Sequence, residues 1–258
     1  MRVLTIAAHP DDETLGAGGT MALHAARGDE VWVCVLTDGV TARHGHVERQ
    51  SECAIRAGDV LGVSRIVFCG LPDQRLDSLP LLDVITAIEK CIAEFQPDVV
   101  YTHFKEDANQ DHRIAFQATL VAARPVEGSS VKRFLCYETA SSTEWAAPFS
   151  GSVFAPNVFV DITATLETKI EAMRRYADTF SGEVRPYPHP RSYEAMEAYA
   201  KRHGAAAGMG AAEPFMLVRE LVGADGWDSG GFLDGDGWEE PAGLEGLGDT
   251  DGGIGRRG

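Results

Sequence analysis

The sequence predicts an α/β protein built on a mostly parallel sheet with helices on both faces. Over the first 125 residues, short apolar runs rich in β-branched residues alternate with helical patterns. This alternation is typical of βαβ units, whose crossover helices cover both faces of the sheet. Charged residues follow the first apolar run directly, where an open α/β sheet binds ligands.

The predicted elements of the first half follow from β-branched runs and from helical periodicity. Strands are predicted at residues 3–7, 31–36, 66–69 and 99–101, and helices at 14–27, 48–61, 81–95 and 112–123. Past Pro125 the alternation loosens. Strands are predicted there at 132–137, 157–160 and 214–221, and helices at 163–180 and 192–203.

A change of composition at Gly223 predicts one folded domain, residues 1–222, and a tail, residues 223–258. The tail holds 13 glycines and nine acidic residues against two arginines. A segment so polar and charged cannot bury a core, so we expect it to be disordered.

Charge and hydropathy exclude several classes of protein. The net charge of −16 argues against nucleic-acid binding, which needs a basic face. No apolar run reaches about 18 residues, so no membrane span is expected. The first strand begins at about Arg2, which leaves no room for a standard secretion signal, and we expect a cytoplasmic protein.

The five cysteines are widely spaced and include no CxxC pair. They are interpreted as buried thiols in a reducing compartment rather than as metal ligands or catalytic groups. We expect the scattered histidines His24, His44, His46 and His203 to lie on the surface.

The segment after the first strand, residues 7–13, places a histidine beside three consecutive carboxylates. Crowded carboxylates repel one another unless a cation or a proton compensates them. His9 and Asp12 are three residues apart in a turn, so both could close on one ion. Asp11 and Asp12 as simple helix caps would explain this segment less well, because a cap needs one carboxylate.

The missing third ligand should come from another strand end. The best candidate segment is 107–113, which follows the strand at 99–101 and opens a helix. Two imidazole nitrogens and one carboxylate oxygen form the ligand set of a catalytic zinc, although Fe²⁺, Co²⁺ or Mn²⁺ would also accept it.

His9-Pro10-Asp11-Asp12-Glu13, together with Asp111-His112-Arg113, resembles the PIG-L/LmbE-like deacetylases, zinc hydrolases that remove acetyl from N-acetylglucosamine units. The resemblance extends through residues 37–39, 49–52, 71–73 and 189–192, and covers roughly residues 1 to 221. It implies a Rossmann-like three-layer sandwich.

The resemblance also implies the roles of the site residues. His9, Asp12 and His112 would bind the metal, and Asp11 would act as general base. Many members have a histidine three positions before the second metal-binding histidine, where this chain has Asn109. Asparagine can donate a neutral hydrogen bond but cannot be an acid, so Asn109 is assigned an oxyanion role and the general acid is Asp11 or His189.

Further candidates have both a functional and a structural interpretation. Arg49 either binds substrate or pairs with Glu52 on a solvated helix face. Asp73 either contacts a sugar hydroxyl or caps a turn. Asp111 could cap its helix while orienting a ligand, and His103 could support the second cluster. Trp145, in the long irregular segment 139–154, could stack on a sugar, and His189 is a further substrate contact.

Glycines at 16, 18 and 19 suggest a dinucleotide loop, but the GxGxxG pattern fails because Met21 stands where the third glycine belongs. No serine-hydrolase elbow or phosphate loop is present.

The leading hypothesis is therefore a zinc-dependent deacetylase of an acetamido sugar, free or attached to a nucleotide, lipid or antibiotic scaffold. The alternatives are a thiol-sugar conjugate amidase and a catalytically silent sugar- or nucleotide-binding module. The sequence is compatible with a homo-oligomer.

Overall fold

The computed structural model describes residues 1–39, 47–148, 151, 153–177 and 182–222, apart from the side chains of residues 47–49. Met1–Leu221 form one compact unit. The predicted disordered tail lies outside the described residues, as do His44 and His46. In the described part of the chain, no helix is long and apolar enough to span a membrane.

Seven strands and six helices make up this unit where it is described. The strands are β1 (Arg2–Ala7), β2 (Glu30–Thr37), β3 (Arg65–Leu71), β4 (Val99–Thr102), β5 (Arg133–Tyr137), β6 (Val158–Asp161) and β7 (Ala212–Glu220). The helices are α1 (Asp12–Ala26), α2 (Val47–Leu61), α3 (Leu81–Phe95), α4 (Gln110–Ala122), α5 (Leu166–Arg174) and α6 (Tyr193–Ala207).

The strands form one mixed sheet in the order β3-β2-β1-β4-β5-β7-β6. β1 to β5 run parallel to one another, and β7 runs antiparallel between β5 and β6. α3 and α4 pack together over one face, where Leu4, Cys34 and Phe134 join their apolar sides. α1, α2 and α5 pack against one another in a separate layer. The predicted α/β class and mostly parallel sheet are confirmed.

Each predicted element is present; α3 has the predicted ends, and the ends of the others are shifted by a few residues. The largest difference is the helix predicted at 163–180, because α5 ends at Arg174. The chain turns there and buries Tyr176, whose hydroxyl donates to Glu13 at 2.9 Å.

The surface prediction is wrong for His24 and His203, which are both buried. His24 Nδ1 lies 2.6 Å from Asp29 Oδ2, and its Nε2 lies 3.2 Å from the Tyr101 hydroxyl. His203 lies 3.0 Å from Glu138. Acceptors and donors on other elements allow these polar rings to be buried.

Helix α1 packs so closely on its neighbours that two of its glycines are required. A Cβ on Gly16 would clash with the Tyr137 ring, and one on Gly19 with Ile162. The glycines that resemble a nucleotide loop therefore serve helix packing, as the failed GxGxxG pattern indicates.

α1 is also kinked, with Ala17 at non-helical angles (φ −138°, ψ 15°). Buried Glu213 on β7 accepts from the Gly19 and Thr20 amides at 3.0 and 2.7 Å. The Lys169 ammonium donates to the Leu15 carbonyl at 2.8 Å and to Glu213 at 2.6 Å. An ion pair thus satisfies the backbone groups that the kink releases.

The site is located by the boundary between strands β1 and β4. These strands are neighbours, but their following helices, α1 and α4, belong to different layers. Such a topological switch opens a crevice beyond the carboxyl ends of the two strands.

Candidate metal centre and active site

The loops after β1 and β4 meet in this crevice. His9 lies just beyond β1, Asp12 begins α1, and His112 lies in the first turn of α4. All three side chains are buried. Residues about 100 positions apart in the sequence therefore converge at one point.

The three side chains point their donor atoms at one another. Asp12 Oδ2 lies 3.0 Å from His9 Nδ1 and 3.2 Å from His112 Nε2. The two imidazole nitrogens, His9 Nδ1 and His112 Nε2, are 3.3 Å apart. Donors bound at 2.0–2.2 Å around a tetrahedral ion lie about 3.3–3.6 Å from one another, so the three donor atoms need to move apart by only a few tenths of an ångström to share an ion.

An unsatisfied atom supports the same conclusion. Asp12 Oδ1 is buried and has no hydrogen-bond partner among the described residues. A buried carboxylate oxygen without a partner is costly unless a cation compensates it. The residues present therefore fit a divalent metal ion.

Two carboxylates near the Nε2 atom of His9, the ring nitrogen that faces away from Asp12, make the electrostatic potential of the centre more negative. Its Nε2 lies 3.3 Å from Asp111 Oδ2 and 3.4 Å from Asp73 Oδ1. Burial lowers the pKa of His9, but hydrogen bonds to Asp111 and Asp12 outweigh it and raise the pKa to about 10. The surroundings thus strongly favour positive charge at this point.

His9, Asp73 and Asp111 also form a cluster that could hold an ion, through the other ring nitrogen of His9. Asp111, however, already accepts from the Leu76 backbone amide at 3.1 Å, and it lies in the first turn of α4. The supporting role of Asp111 stays a prediction. Asp73 lies beside His9 rather than in a distant turn.

His112 is held from behind by Asp107. The His112 Nδ1 atom lies 3.1 Å from Asp107 Oδ1. Asp107 also accepts hydrogen bonds from the hydroxyls of Ser142 and Thr143 and from the backbone N–H of Asn109. Burial raises the pKa of Asp107, but its bond to His112 and these donors outweigh burial and lower the pKa to about 2. A carboxylate fixed in this way orients His112 Nε2 toward Asp12.

His103 supports the centre by packing and by a hydrogen bond to the first loop. Its ring stacks on that of His112 with centroids 3.9 Å apart. Its Nε2 accepts from the Ala8 amide at 2.9 Å, so the ring proton belongs on Nδ1, next to Thr139. Burial lowers the pKa of His103 well below its usual value. A neutral His103 therefore joins the ends of β1 and β4.

Asp11 stands beside the ligands in an unusual backbone conformation. Its φ is +124°, a region that favours glycine, and its side chain is buried at the cavity wall. The Glu13 carboxylate accepts from the Asp11 amide at 3.0 Å and helps to hold this turn. Burial raises the pKa of Asp11, Glu183 and Asp12 raise it further, and Arg191 opposes them.

Arg191 is a site residue to which sequence reasoning assigned no role. Its Nη1 donates to Asp11 Oδ2 at 2.7 Å and also to Glu183, and its Nε donates to Ser141 Oγ at 2.7 Å. Residues 189–192 contribute to the family resemblance, but His189 was the residue chosen from them. Since 180 positions separate Arg191 from Asp11, no local pattern could have paired them.

Asn109 caps α4 and lines the cavity. Its Oδ1 accepts from the Asp111 amide at 2.9 Å, and the residue also faces the pocket in front of the metal ligands. With the oxygen engaged, the amide nitrogen is the group that Asn109 can offer to a substrate.

The remaining predicted substrate contacts are placed as follows. A cavity of about 570 Å³ opens in front of the centre and is lined by His9, Asp11, Asp73, Asn109, His112, Trp145, His189 and Arg191, among others. Trp145 is 59% exposed at its mouth, edge-on to His189 with centroids 6.0 Å apart. The Arg49 side chain lies outside the described residues.

The fold and the donor set define an α/β protein with a His/Asp centre at the switch point of its sheet. Residues 4–123 match the PIG-L family model, described as GlcNAc-PI de-N-acetylase. The chain belongs to the PIG-L, or LmbE-like, family of deacetylases, as the sequence motifs indicated.

Two relatives establish this membership. The uncharacterized deacetylase YaiS of Escherichia coli is 33% identical over 180 residues, covering 67% of this chain and 89% of YaiS. The 1D-myo-inositol 2-acetamido-2-deoxy-alpha-D-glucopyranoside deacetylase of Mycolicibacterium smegmatis is 30% identical over 233 residues, covering 68% of this chain and 79% of that enzyme.

A solved structure shares the fold. The conserved protein TT1542 of Thermus thermophilus superposes with a TM-score of 0.68 at 26% identity, covering 86% of this chain and 96% of that one.

Proposed function

We propose that this protein is a metal-dependent N-deacetylase that hydrolyses the acetamide of an N-acetylated amino sugar. The sugar would be free, nucleotide-linked or part of a glycoside or antibiotic scaffold. The observation that carries this proposal is the convergence of His9, Asp12 and His112 beside buried Asp11 at the floor of one cavity. The name of the M. smegmatis relative, which specifies an acetamido sugar, supports the substrate class.

His9, Asp12 and His112 would hold the ion, for which we propose Zn²⁺, with Fe²⁺, Co²⁺ and Mn²⁺ as alternatives. When bound, such an ion polarises an amide carbonyl and acidifies a water molecule. Asp107, Asp111 and His103 keep the ligands oriented through the contacts described above.

Asp11 would be the general base. Burial raises the pKa of its carboxyl above the usual value, which suits a group that must accept a proton from water. Arg191 fixes the orientation of that carboxylate through Oδ2. Asp11 would then return the proton to the leaving amine.

Asn109 would donate its amide N–H to the oxyanion. His189 is the other candidate acid, but burial lowers its pKa, and Arg185 and Arg191 lower it further. Its Nδ1 also accepts from the Arg191 amide at 3.1 Å. We therefore favour Asp11 as the group that protonates the amine.

Asp73, Arg49, His189 and Trp145 would bind the sugar. Asp73 and Trp145 both line the cavity; Asp73 is buried beside His9, and Trp145 is exposed. A ring face at the mouth suits stacking on a sugar, and a carboxylate near the centre suits its hydroxyls. The cytoplasmic location stays a prediction.

The test is primary-amine release from a panel of free, nucleotide-linked and glycoside-linked N-acetyl sugars. Zinc-loaded protein should release amine from at least one member, and chelator-stripped protein should not. Asp11→Asn should lower kcat by about 10²–10⁴ with the zinc content unchanged. Asp77→Asn, which changes an exposed carboxylate outside the cavity, is the matched control.

The same panel separates the alternatives. A thiol-sugar conjugate amidase would cleave an amide that joins cysteine to the sugar and leave simple acetamides intact. A silent binding module would bind the sugars in calorimetry, equally well with Asp11→Asn, and release no amine. Undiminished hydrolysis by Asp11→Asn would disprove the assigned base.

A further inference from the structure

A cluster of three cysteines lies away from the His/Asp centre. Cys34 is on β2, Cys69 on β3 and Cys91 on α3. The Sγ of Cys34 is 3.6 Å from that of Cys69 and 3.2 Å from that of Cys91. All three sulfur atoms lie within 4.8 Å of one another.

We propose that Cys34, Cys69 and Cys91 form a second metal site that binds one soft, thiophilic ion, of which Cu(I) is the best match. The site would tie the edge of the sheet, β2 and β3, to helix α3. It does not depend on the proposed deacetylase activity.

The donor set selects the kind of ion. Thiolate sulfur prefers soft ions such as Cu(I), whereas carboxylates and imidazoles select the harder ions proposed for the other centre. With metal–sulfur bonds of about 2.3 Å, sulfur atoms around one ion lie roughly 3.8–4.0 Å apart. The two measured distances, 3.6 and 3.2 Å, are shorter than this, so side-chain rotations must move the sulfur atoms apart by up to about 0.8 Å.

The number of donors narrows the choice further. In the described part of the chain, the group contains three cysteines and no fourth His, Cys, Asp or Glu. Structural zinc sites are almost always four-coordinate. Cu(I) is stable with three sulfur ligands, so the three cysteines complete its coordination.

The three cysteines differ in how exposed they are to solvent. Cys34 is fully buried and Cys91 is 4% exposed, whereas Cys69 is partly exposed on edge strand β3. An ion can therefore be captured at Cys69 and passed inward. Trp32 and Phe95 belong to the same apolar core, which shields a soft, weakly hydrated ion from water.

The proposal is tested with full-length, reduced, zinc-loaded protein titrated with Cu(I) against a chromophoric Cu(I) chelator. We expect one Cu(I) per chain, a thiolate-to-copper absorption band in the ultraviolet, and a higher Tm. Cys69→Ala and Cys91→Ala should each weaken Cu(I) binding at least 100-fold. Cys136→Ala, which removes a buried thiol outside the cluster, should bind Cu(I) like the parent.

Far-UV circular dichroism and the zinc content of each variant show whether it is folded. Cys69→Ala is the decisive variant because that residue is partly exposed and its truncation disturbs the core least. The proposal is wrong if the parent retains no Cu(I) against the chelator, or if a folded Cys69→Ala retains it as well as Cys136→Ala does. Displacement of zinc without binding to the cysteines would also overturn it.

Discussion

Asp11 combines a strained backbone with a buried charge, and both features need support from distant residues. A positive φ at a residue other than glycine costs about 1–3 kcal/mol and persists when the surroundings enforce it. Glu13 binds the amide of this residue, and Arg191 binds its carboxylate. The position of the proposed base is thus set by side chains rather than by its own preference.

The first prediction concerns Arg191. Arg191→Ala should lower kcat about 100-fold, because the Asp11 carboxylate loses the partner that aims it. KM and the zinc content should change little. The measurement is steady-state deacetylation on the substrate identified by the panel.

Arg185→Ala is the control for charge, since Arg185 also lines the cavity but donates to the Gly182 carbonyl instead of to Asp11. It should affect KM at most. Equal kcat values for the parent and Arg191→Ala would show that Asp11 needs no such partner.

The second prediction concerns Asp107, which orients His112. Asp107→Asn should weaken metal binding by about 10- to 100-fold, the usual effect of removing a carboxylate that supports a metal-bound histidine. Competition with a zinc chelator measures this. Glu106→Gln, at the neighbouring position, should leave the affinity unchanged, and an unaltered affinity in Asp107→Asn would contradict the assigned role.

At the scale of elements, two loops and one kinked helix build the site. The loop after β1 leads directly into α1, and the kink at Ala17 adjusts the path of that helix as it leaves the metal ligands. Glu213 and Lys169, from β7 and α5, replace the helical hydrogen bonds lost at the kink. The antiparallel part of the sheet thus supports a helix that carries Asp12.

The third prediction follows from this buried ion pair. Glu213→Ala should lower the free energy of unfolding by about 3–5 kcal/mol, because Lys169 is left as an unpaired buried charge. Urea denaturation at neutral pH measures the change. Glu197→Ala breaks an exposed pair with Lys201 and should cost about 1 kcal/mol or less. Similar losses in the two variants would show that the buried pair stabilises the fold no more than the exposed pair does.

The elements were largely predictable because their signals are local. Apolar runs marked the strands, and helical periodicity gave α3 with its observed ends. The kink in α1 was not predictable, since the acidic partner that makes it tolerable is nearly 200 residues away. The same limit hid the cysteine cluster, whose members are brought together by β2, β3 and α3.

At the scale of the whole molecule, the order of the strands in the sheet determines which residues come together in the site. His9, Asp12 and the segment 107–113 were expected to meet because parallel strands expose their carboxyl ends at one edge of the sheet, and the family resemblance then singled out His112 within that segment. The residues that surround this group, Asp107 and Arg191 among them, depend on how the later loops pack. Sequence patterns therefore gave the centre of the site and missed much of its support.

The fourth prediction concerns the acidic tail. Residues 1–222 alone should keep the Tm, the zinc content and the kcat of the full chain, because the compact unit ends at Leu221. The shortened chain should leave an anion exchanger earlier, since the tail holds nine acidic residues against two arginines. Scanning calorimetry and activity assays compare the two forms, and a lower Tm for the shortened chain would place the tail within the cooperative unit.

The metal ligands are divided between two strand ends that become neighbours when β1 pairs with β4. An unfolded chain, in which the two ends drift apart, offers an ion at most two of the three ligands at once. The ion is therefore a ligand of the native state, and at a free concentration of 100 times its Kd it would add about 2.7 kcal/mol to the stability. The supply of a metal that binds this site would then change the stability of the folded protein.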